Sequence, residues 1–530
     1  MSPRPLYRRP LDCLGLLVAL AFALPALAYP PGNDQALHGY VGRGLLLGEL
    51  PYRDSISGKP IGIFATHALA ILLFGYNAVS IRAFEVLCIF PLAYLVTQLC
   101  RTEQRAAASG PRDGELGAAA MLTATVHYTY FDYWDVSHPE IWVALLSLWS
   151  VHLALNGEHR SLVRCLGCGA LGAAAFMFKY PAAAIALPVA LACAVRAVQE
   201  QQRPAHLKDL NPIKTVVVVS RAAGFYLLGA GIIFGLCVLP FILNDALAPM
   251  WEVLYTFTAR YVGQAPSLQL SATWLGWDYG GPVVALCGTL LLTGLALNFY
   301  RHRTSAYYRG LFLSALLAAA FASIWVQKRL FSYHFTVLSP FLAAAILYGL
   351  KALRPDKSMR WLPIASLSLS LAALFSEPSW SVKPDYSYRR YVADTYAYLS
   401  GDLSRTQFLA PFIGKNYLDH YRIHEYIGHA AKEKALPSDT LCARGFAPSI
   451  YLVSGMRCPS RHVIQAQPAG LPAWGPEFWR DIRKHLPRFV VTFKDRPRDL
   501  VALHRLGYRK HAMPSIYVLM ERTPTATGNK

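Results

Sequence analysis

The sequence predicts a polytopic α-helical membrane protein of about eleven transmembrane helices, followed by a soluble α/β domain. Three observations lead there. The 530 residues are 54% hydrophobic and only 15% charged, with a mean hydropathy of +0.30, which is more apolar surface than a water-soluble fold of this length can bury. Apolar runs of bilayer-spanning length recur between residues 12 and 376. Beyond residue 376 the chain turns polar and alternates helix-like with strand-like segments. The expected division is therefore 1–376, transmembrane, and 377–530, soluble.

The expected spans lie near 12–30, 77–100, 116–130, 140–156, 164–178, 181–197, 222–242, 282–300, 310–326, 335–351 and 361–376, several of them short. The first also resembles a secretory signal, since Arg8 and Arg9 precede the apolar run and Ala26-Leu27-Ala28 offers a small-residue cleavage site. A retained first helix is the reading adopted here, and the loop after it is outside on either one. With the N-terminus cytoplasmic, the cytoplasmic loops collect Arg4, Arg8 and Arg9, then Arg101, Arg105 and Arg112, and later clusters such as Arg196 to Arg221 and Lys351 to Arg360. The opposite loops up to residue 376 hold only Arg43, Arg53, Lys59, Arg82, Lys179, Arg260, Lys328 and Arg329. This asymmetry is the positive-inside signature, and it places the tail outside the cell membrane. Topology thus accounts for much of the net charge of +20; no nucleic-acid motif accompanies it, and the basic excess of the tail suits anionic membrane lipids.

Eight of the ten cysteines fall in or beside apolar runs, where they act as small hydrophobes; Cys165 and Cys168 form a CxxC without the second pair a zinc site needs. Cys442 and Cys458 lie in the tail, where an oxidising compartment permits a disulfide. Within that tail "YRRYVADTYAYLS" and "NYLDHYRIHEYIGHAAKEK" read as helices, "SIYLVSG" as a strand, "EFWRDIRKHL" as a helix, and "RFVVTF" and "SIYVLME" as strands. The pattern is that of a layered βαβ domain, with no phosphate loop or nucleophile elbow.

Chemistry is expected instead at the outer membrane face, because ionisable groups beside hydrocarbon are costly and tend to line functional cavities. Four clusters fall there. The stretch "PGNDQALHGYVGRGLLLGELPYRDSISGKP" at 31–60 carries Asp34, Tyr52, Arg53, Asp54 and Lys59. "YTYFDYWDVSHPEIW" at 128–142 carries Asp132, Asp135, His138 and Glu140; "FKYP" at 178–181 carries Lys179; and "WVQKRLFSYHF" at 325–335 carries Lys328, Arg329, Tyr333 and His334. Each has a plainer explanation, since interfacial aromatics are common and a Lys or Arg at a helix end snorkels. Their convergence on the side where cations are otherwise scarce favours a site for a phosphate-bearing substrate, with a carboxylate as base.

The segment "GNDQALHGYVGRGLLLGELPYRDSISGKPIG" resembles the first outer loop of GT-C membrane glycosyltransferases of the protein O-mannosyltransferase and aminoarabinose transferase type (glycosyltransferase family 39). Those enzymes carry an acid after the first helix, then "G-x-x-P-Y-x-D" and "K-P-P"; Asp34, Gly48, Pro51, Tyr52, Asp54, Lys59 and Pro60 match. "FKYP" looks like the family's "T-K-P", and "QKRLFSYHFTVLSP" and the outward tail extend the resemblance. The chain departs in having Asn33 and Gln35 around a single acid, and "KPI" for "K-P-P". The resemblance implies an inverting transfer of a sugar from a polyprenyl-phosphate donor to an acceptor hydroxyl at the outer face of a bacterial-type cytoplasmic membrane. The acceptor would be a lipid, a glycan or a protein.

It further implies Asp34 as general base. Lys59, Arg53, Lys179, Lys328, Arg329 and His334 become candidates for the donor phosphate. Tyr52, Asp54, Asp132, Asp135, His138, Glu140 and Tyr333 become candidates for positioning sugar or acceptor. A divalent cation between two of these acids is compatible with the pattern and required by nothing in it. Segments 61–76 and 243–275, rich in aromatics, would shape a groove for the lipid tail. The alternatives are a polytopic transporter, against which stands the absence of an internal repeat, and a non-catalytic polysaccharide-assembly protein.

Overall fold

The computed structural model describes residues 9–101, 112–156, 161–202, 211–264, 281–328, 330–353, 361–376, 386–412, 421–464, 470–511, 513 and 516–522. The chain forms two compact units, each discontinuous in sequence. One contains residues up to Leu27, Phe84–Leu239 and Pro266–Val392; the other contains Ala28–Ala83, Pro240–Ala265 and the chain from Ala393 onward.

The first unit is helical. Seven helices among the described residues are long and apolar enough to cross a membrane: Pro10–Ala28, Ser80–Leu99, Tyr180–Gln202, Pro212–Leu243, Val283–Tyr300, Thr304–Trp325 and Ser332–Leu353. The other four expected spans are also helical, at Glu115–Tyr130, Pro139–Asn156, Ser161–Phe176 and Trp361–Phe375. They are shorter or interrupted by polar residues, so length and composition establish seven spans rather than eleven. The protein is a multi-pass membrane protein.

Two kinds of helix separate by burial. Glu115–Tyr130 and Ser339–Leu353 are buried on almost every face and form the inside of the bundle. Pro212–Leu243 instead exposes Ile213, Val216, Leu227, Leu236 and Leu243, as a lipid-facing helix does. Without a hydrophobic drive between helices in lipid, close contact depends on small side chains. A Cβ on Gly15 would come within 2.4 Å of the Gly117 backbone, and one on Gly169 would overlap the Tyr226 carbonyl. Those crossings are open only to glycine. At the first of them the Gly117 N–H donates to Asp12 at 2.8 Å.

Six of the basic residues expected in the cytoplasm share one end of this unit. Arg9 pairs with Asp12 and donates to the Arg112 carbonyl, Lys351 pairs with Glu115, Arg301 donates to Ala352, and Arg309 and Arg101 both donate to Gln98. These contacts gather the loops of Arg9, Arg101, Arg112, Arg301, Arg309 and Lys351 at the same helix ends.

The second unit carries a four-stranded sheet of order β1-β2-β4-β3, with β1 Leu441–Ala443, β2 Phe489–Phe493, β3 Tyr508–His511 and β4 Tyr517–Arg522. β1 and β2 are parallel, with Cys442 opposite Val490; β4 runs antiparallel to both β2 and β3. A parallel pair needs a crossover, and here it contains the Trp474–His485 helix. Phe478 and Ile482 from that helix, and Leu503 from the Pro497–Arg505 helix, bury against Cys442, Val490, Val518 and Met520.

One expected strand is a helix. "SIYLVS" forms Ser449–Ser454, started at Pro448 and stopped by Gly455 at φ 72°. A short apolar run carries no decisive period, and here the flanking Pro and left-handed Gly select a single helical turn.

Packed in the same unit is the stretch that follows the first apolar run. Asn33–Leu46 is a helix whose residues are nearly all buried, and Ile61–Phe74 is a second, crossing it where Gly42 meets the Phe64 carbonyl and Ala68. Arg43 donates to the Gly455 carbonyl at 2.7 Å, and the Ile56 N–H donates to the Arg461 carbonyl at 2.8 Å.

Candidate active site

The polar clusters distribute over the two units. In the second unit, Asp34 lies in the first turn of Asn33–Leu46, half-buried between Asn33 and Gln35, which are fully buried. A first-turn position suits a carboxylate, because the helix N-terminus carries partial positive charge. Asn33 anchors the turn by donating to the Phe446 carbonyl at 2.6 Å.

The "GELPYRDSISGKP" loop is built by its own side chains. Asp54 accepts from the Leu50 N–H at 2.7 Å and from the Arg53 guanidinium at 3.0 and 2.8 Å. Tyr52 takes a left-handed φ of 70°, unusual for a non-glycine residue, and is 1% exposed. Its N–H donates to the Ser55 carbonyl at 2.7 Å and its hydroxyl to the Lys59 carbonyl at 2.9 Å. Tyr52 and Asp54 therefore hold the loop's shape, and through it the backbone of half-buried Lys59. A strained residue persists only where its surroundings fix it this firmly.

Arginines of the tail hold this stretch from the other side. Arg457 pairs with Glu49, stacks 4.0 Å over Tyr40 and donates to the Tyr40 carbonyl at 3.2 Å. Arg461 bridges Glu477 at 2.6 Å and Glu252 at 3.1 Å, and Trp474 also donates to Glu252 at 2.5 Å. Beside the Asn33–Leu46 helix lies a small, partly open recess whose walls include Gln35, Gly39, His67, Tyr76 and Leu452.

In the first unit, Glu140, Lys179, His138, Tyr333, Asp135 and His334 come together. Glu140, in the first turn of Pro139–Asn156, is ion-paired to Lys179, and both are buried or nearly so. The Lys179 ammonium sits 5.2 Å over the Tyr333 ring, which stacks on His138 with centroids 4.1 Å apart. His334 stands edge-on to Tyr333 at 4.4 Å. Ser332 donates to Asp135, while Asp132 caps its own turn by accepting from the Trp134 N–H at 2.8 Å. Lys328 is exposed at φ 56°, and no contact among the described residues joins it to this group; Arg329 lies outside the described residues.

The sequence reading missed what sets this cluster in place. Glu85, fully buried, accepts from the Ser137 N–H at 2.6 Å and hydroxyl at 2.8 Å, and pairs with His127 Nε2 at 3.2 Å. Ser137 has φ 63°, so the Glu85 carboxylate stabilises the turn that leads into His138 and Glu140. The only available signal was a lone acid in the apolar run "IRAFEVLCIF". No group of three or more metal-ligating side chains occurs among the described residues.

No protein-family model matches the sequence, and no curated protein sequence matches it. Solved structures do. The crystal structure of ArnT from Cupriavidus metallidurans bound to undecaprenyl phosphate superposes with a TM-score of 0.52 at 15% identity, over 99% of this chain and 99% of that one. Its apo state gives 0.50 at 15% identity over 98% and 99%. The chain has the fold of these ArnT structures. The archaeal oligosaccharyltransferase AglB from Archaeoglobus fulgidus, in complex with an inhibitory peptide and a dolichol-phosphate, gives 0.42 at 11% identity over 98% of this chain and 74% of that one.

The contacts of Arg461 in this chain predict a second unit that loses stability in acid. Burial would raise the Glu477 carboxyl, but Arg461 and His462 outweigh it and hold it below the ordinary value. Burial chiefly lowers His462, with Arg461 adding to the shift and Glu477 opposing it. Both depressions act in one direction: the unfolded chain binds protons first, so stability is lost as pH falls, beginning near the ordinary histidine value for His462 and near the carboxylate range for Glu477. Hydrogen exchange of Ile56, which donates to the Arg461 carbonyl, is therefore expected to show less protection at pH 5 than at pH 7 once intrinsic rates are corrected. His462→Gln is expected to flatten the upper part of that loss; an unchanged profile would remove His462 from it.

Proposed function

We propose that the chain is an inverting glycosyltransferase moving a sugar from a polyprenyl-phosphate donor to an acceptor hydroxyl at the outer face of the cytoplasmic membrane. The observation that carries the reading is Asp34: a half-buried carboxylate in the first turn of the first helix after the leading apolar run, on a GT-C fold. In ArnT the same fold is seen with undecaprenyl phosphate bound. Residues 1–376 form the catalytic membrane portion, and the tail 377–530 faces outward.

The chemistry follows from charge. Asp34 accepts the proton of the acceptor hydroxyl as its oxygen attacks the anomeric carbon. The bond to the lipid phosphate breaks on the opposite face, and its electron pair leaves with the phosphate oxygen. Cations then stabilise the departing lipid phosphate. Lys59 is favoured because the Tyr52 hydroxyl fixes its backbone. Arg53, Lys179, Lys328, Arg329 and His334 carry the same assignment on their charge. Asp132, Asp135, His138, Glu140 and Tyr333 position sugar or acceptor.

Mass spectrometry of envelope glycolipids and glycans tests this in cells with and without the gene. One glycan or glycolipid should lose the mass of a single sugar on deletion and regain it on complementation. Identical profiles, with the protein verified in the membrane, would refute a transferase role.

A further inference from the structure

We infer that Cys442 and Cys458 are joined by a disulfide in the working protein, and that this bond clamps the segment holding the opening loop. The inference rests on the outward placement of the tail proposed above. The two sulfurs lie 3.0 Å apart, so bonding at about 2.05 Å needs roughly an ångström of movement. The backbones are already adjacent: the Leu441 N–H donates to the Arg457 carbonyl at 3.0 Å, and Thr440 and Arg457 form a parallel bridge. Cys442 is fully buried on β1, and Cys458 packs against the same apolar core.

What the bond would hold is specific. Cys458 and its neighbours contact the opening stretch through several groups. The Cys458 N–H donates to the Tyr40 hydroxyl at 2.9 Å, and Arg457 pairs with Glu49. The Arg461 carbonyl receives the Ile56 N–H, four residues from Tyr52. Tyr451 closes the other side, accepting from the Ala443 N–H at 2.7 Å and donating to the Val463 carbonyl at 3.2 Å. A covalent link to β1 restrains the segment 455–464, and with it the loop of Tyr52 and Lys59.

Formation is thiol–disulfide exchange with an external disulfide as oxidant. One thiolate attacks a sulfur of that disulfide and expels its first thiol; the second then attacks the mixed disulfide and expels the other. Two thiols of the chain lose two protons and two electrons, and the oxidant is reduced to two thiols.

The test uses the full chain, expressed in its own membrane and quenched with N-ethylmaleimide before solubilisation. Tryptic digestion should yield residues 435–444 joined to 458–461, a species that reduction splits. Both cysteines found alkylated would overturn the inference. If purified, reduced protein then forms the same link with oxidised glutathione, the outward placement is at fault rather than the geometry. Hydrogen exchange of the wild-type protein before and after reduction reads the clamp. The amides of Cys458 and Ile56 should exchange at least about tenfold faster once reduced, within the roughly hundredfold set by closing a loop of about 15 residues. Equal rates would show a bond that clamps nothing.

Discussion

Asp34→Asn is expected to lower sugar transfer by about 10²- to 10⁴-fold, the usual range for removing a general base, while leaving the chain folded. The side chain keeps its shape and its place in the first turn of Asn33–Leu46, half-buried between two buried neighbours. What it loses is the ability to accept a proton. Replacing a carboxylate near a helix N-terminus costs about 0.3–1 kcal/mol, too little to unfold a packed helix. The donor KM should barely move, because the proposed contact matters as the acceptor oxygen attacks and not when the donor binds. Purified enzyme in nanodiscs, with matched thermal midpoints, separates the two effects. Turnover surviving at more than a tenth of the original rate would exclude Asp34 as the base.

Much of this architecture is legible in the sequence, for identifiable reasons. Long apolar runs must be helices in lipid, since every backbone group needs an internal partner, and each expected span falls on one. Basic residues cluster at loop ends, and Arg9 meets Arg112 as Lys351 meets Glu115. The short elements are less readable. β1 and β3 have 3 and 4 residues, too few to show alternation, and the apolar "SIYLVS" looks the same as a strand or a helical turn. Least legible are the groups that hold others. Glu85 meets Ser137 52 residues away, and Arg461 meets Glu252 209 residues away. No local spacing encodes such partners.

Lys179→Met and Glu140→Gln break the same buried ion pair, and each is expected to destabilise the first unit by about 3–5 kcal/mol, the usual cost of leaving one charge of such a pair uncompensated. The double variant should recover much of that loss, because neither charge then remains. Thermal unfolding in detergent would show the non-additivity. The pair also separates structure from function. If Lys179 contributes to donor phosphate binding, Glu140 competes with that phosphate for the ammonium. Lys179→Met should then raise the donor KM by about tenfold or more, the value of one charge-assisted hydrogen bond. Glu140→Gln leaves the ammonium over the Tyr333 ring but removes its competitor, so the donor KM should hold or fall even as stability drops. Opposite movements of KM with parallel losses of stability would assign Lys179 to the donor. Parallel movements of both would reduce the pair to a structural strut, leaving Lys59 as the cation that carries the proposal.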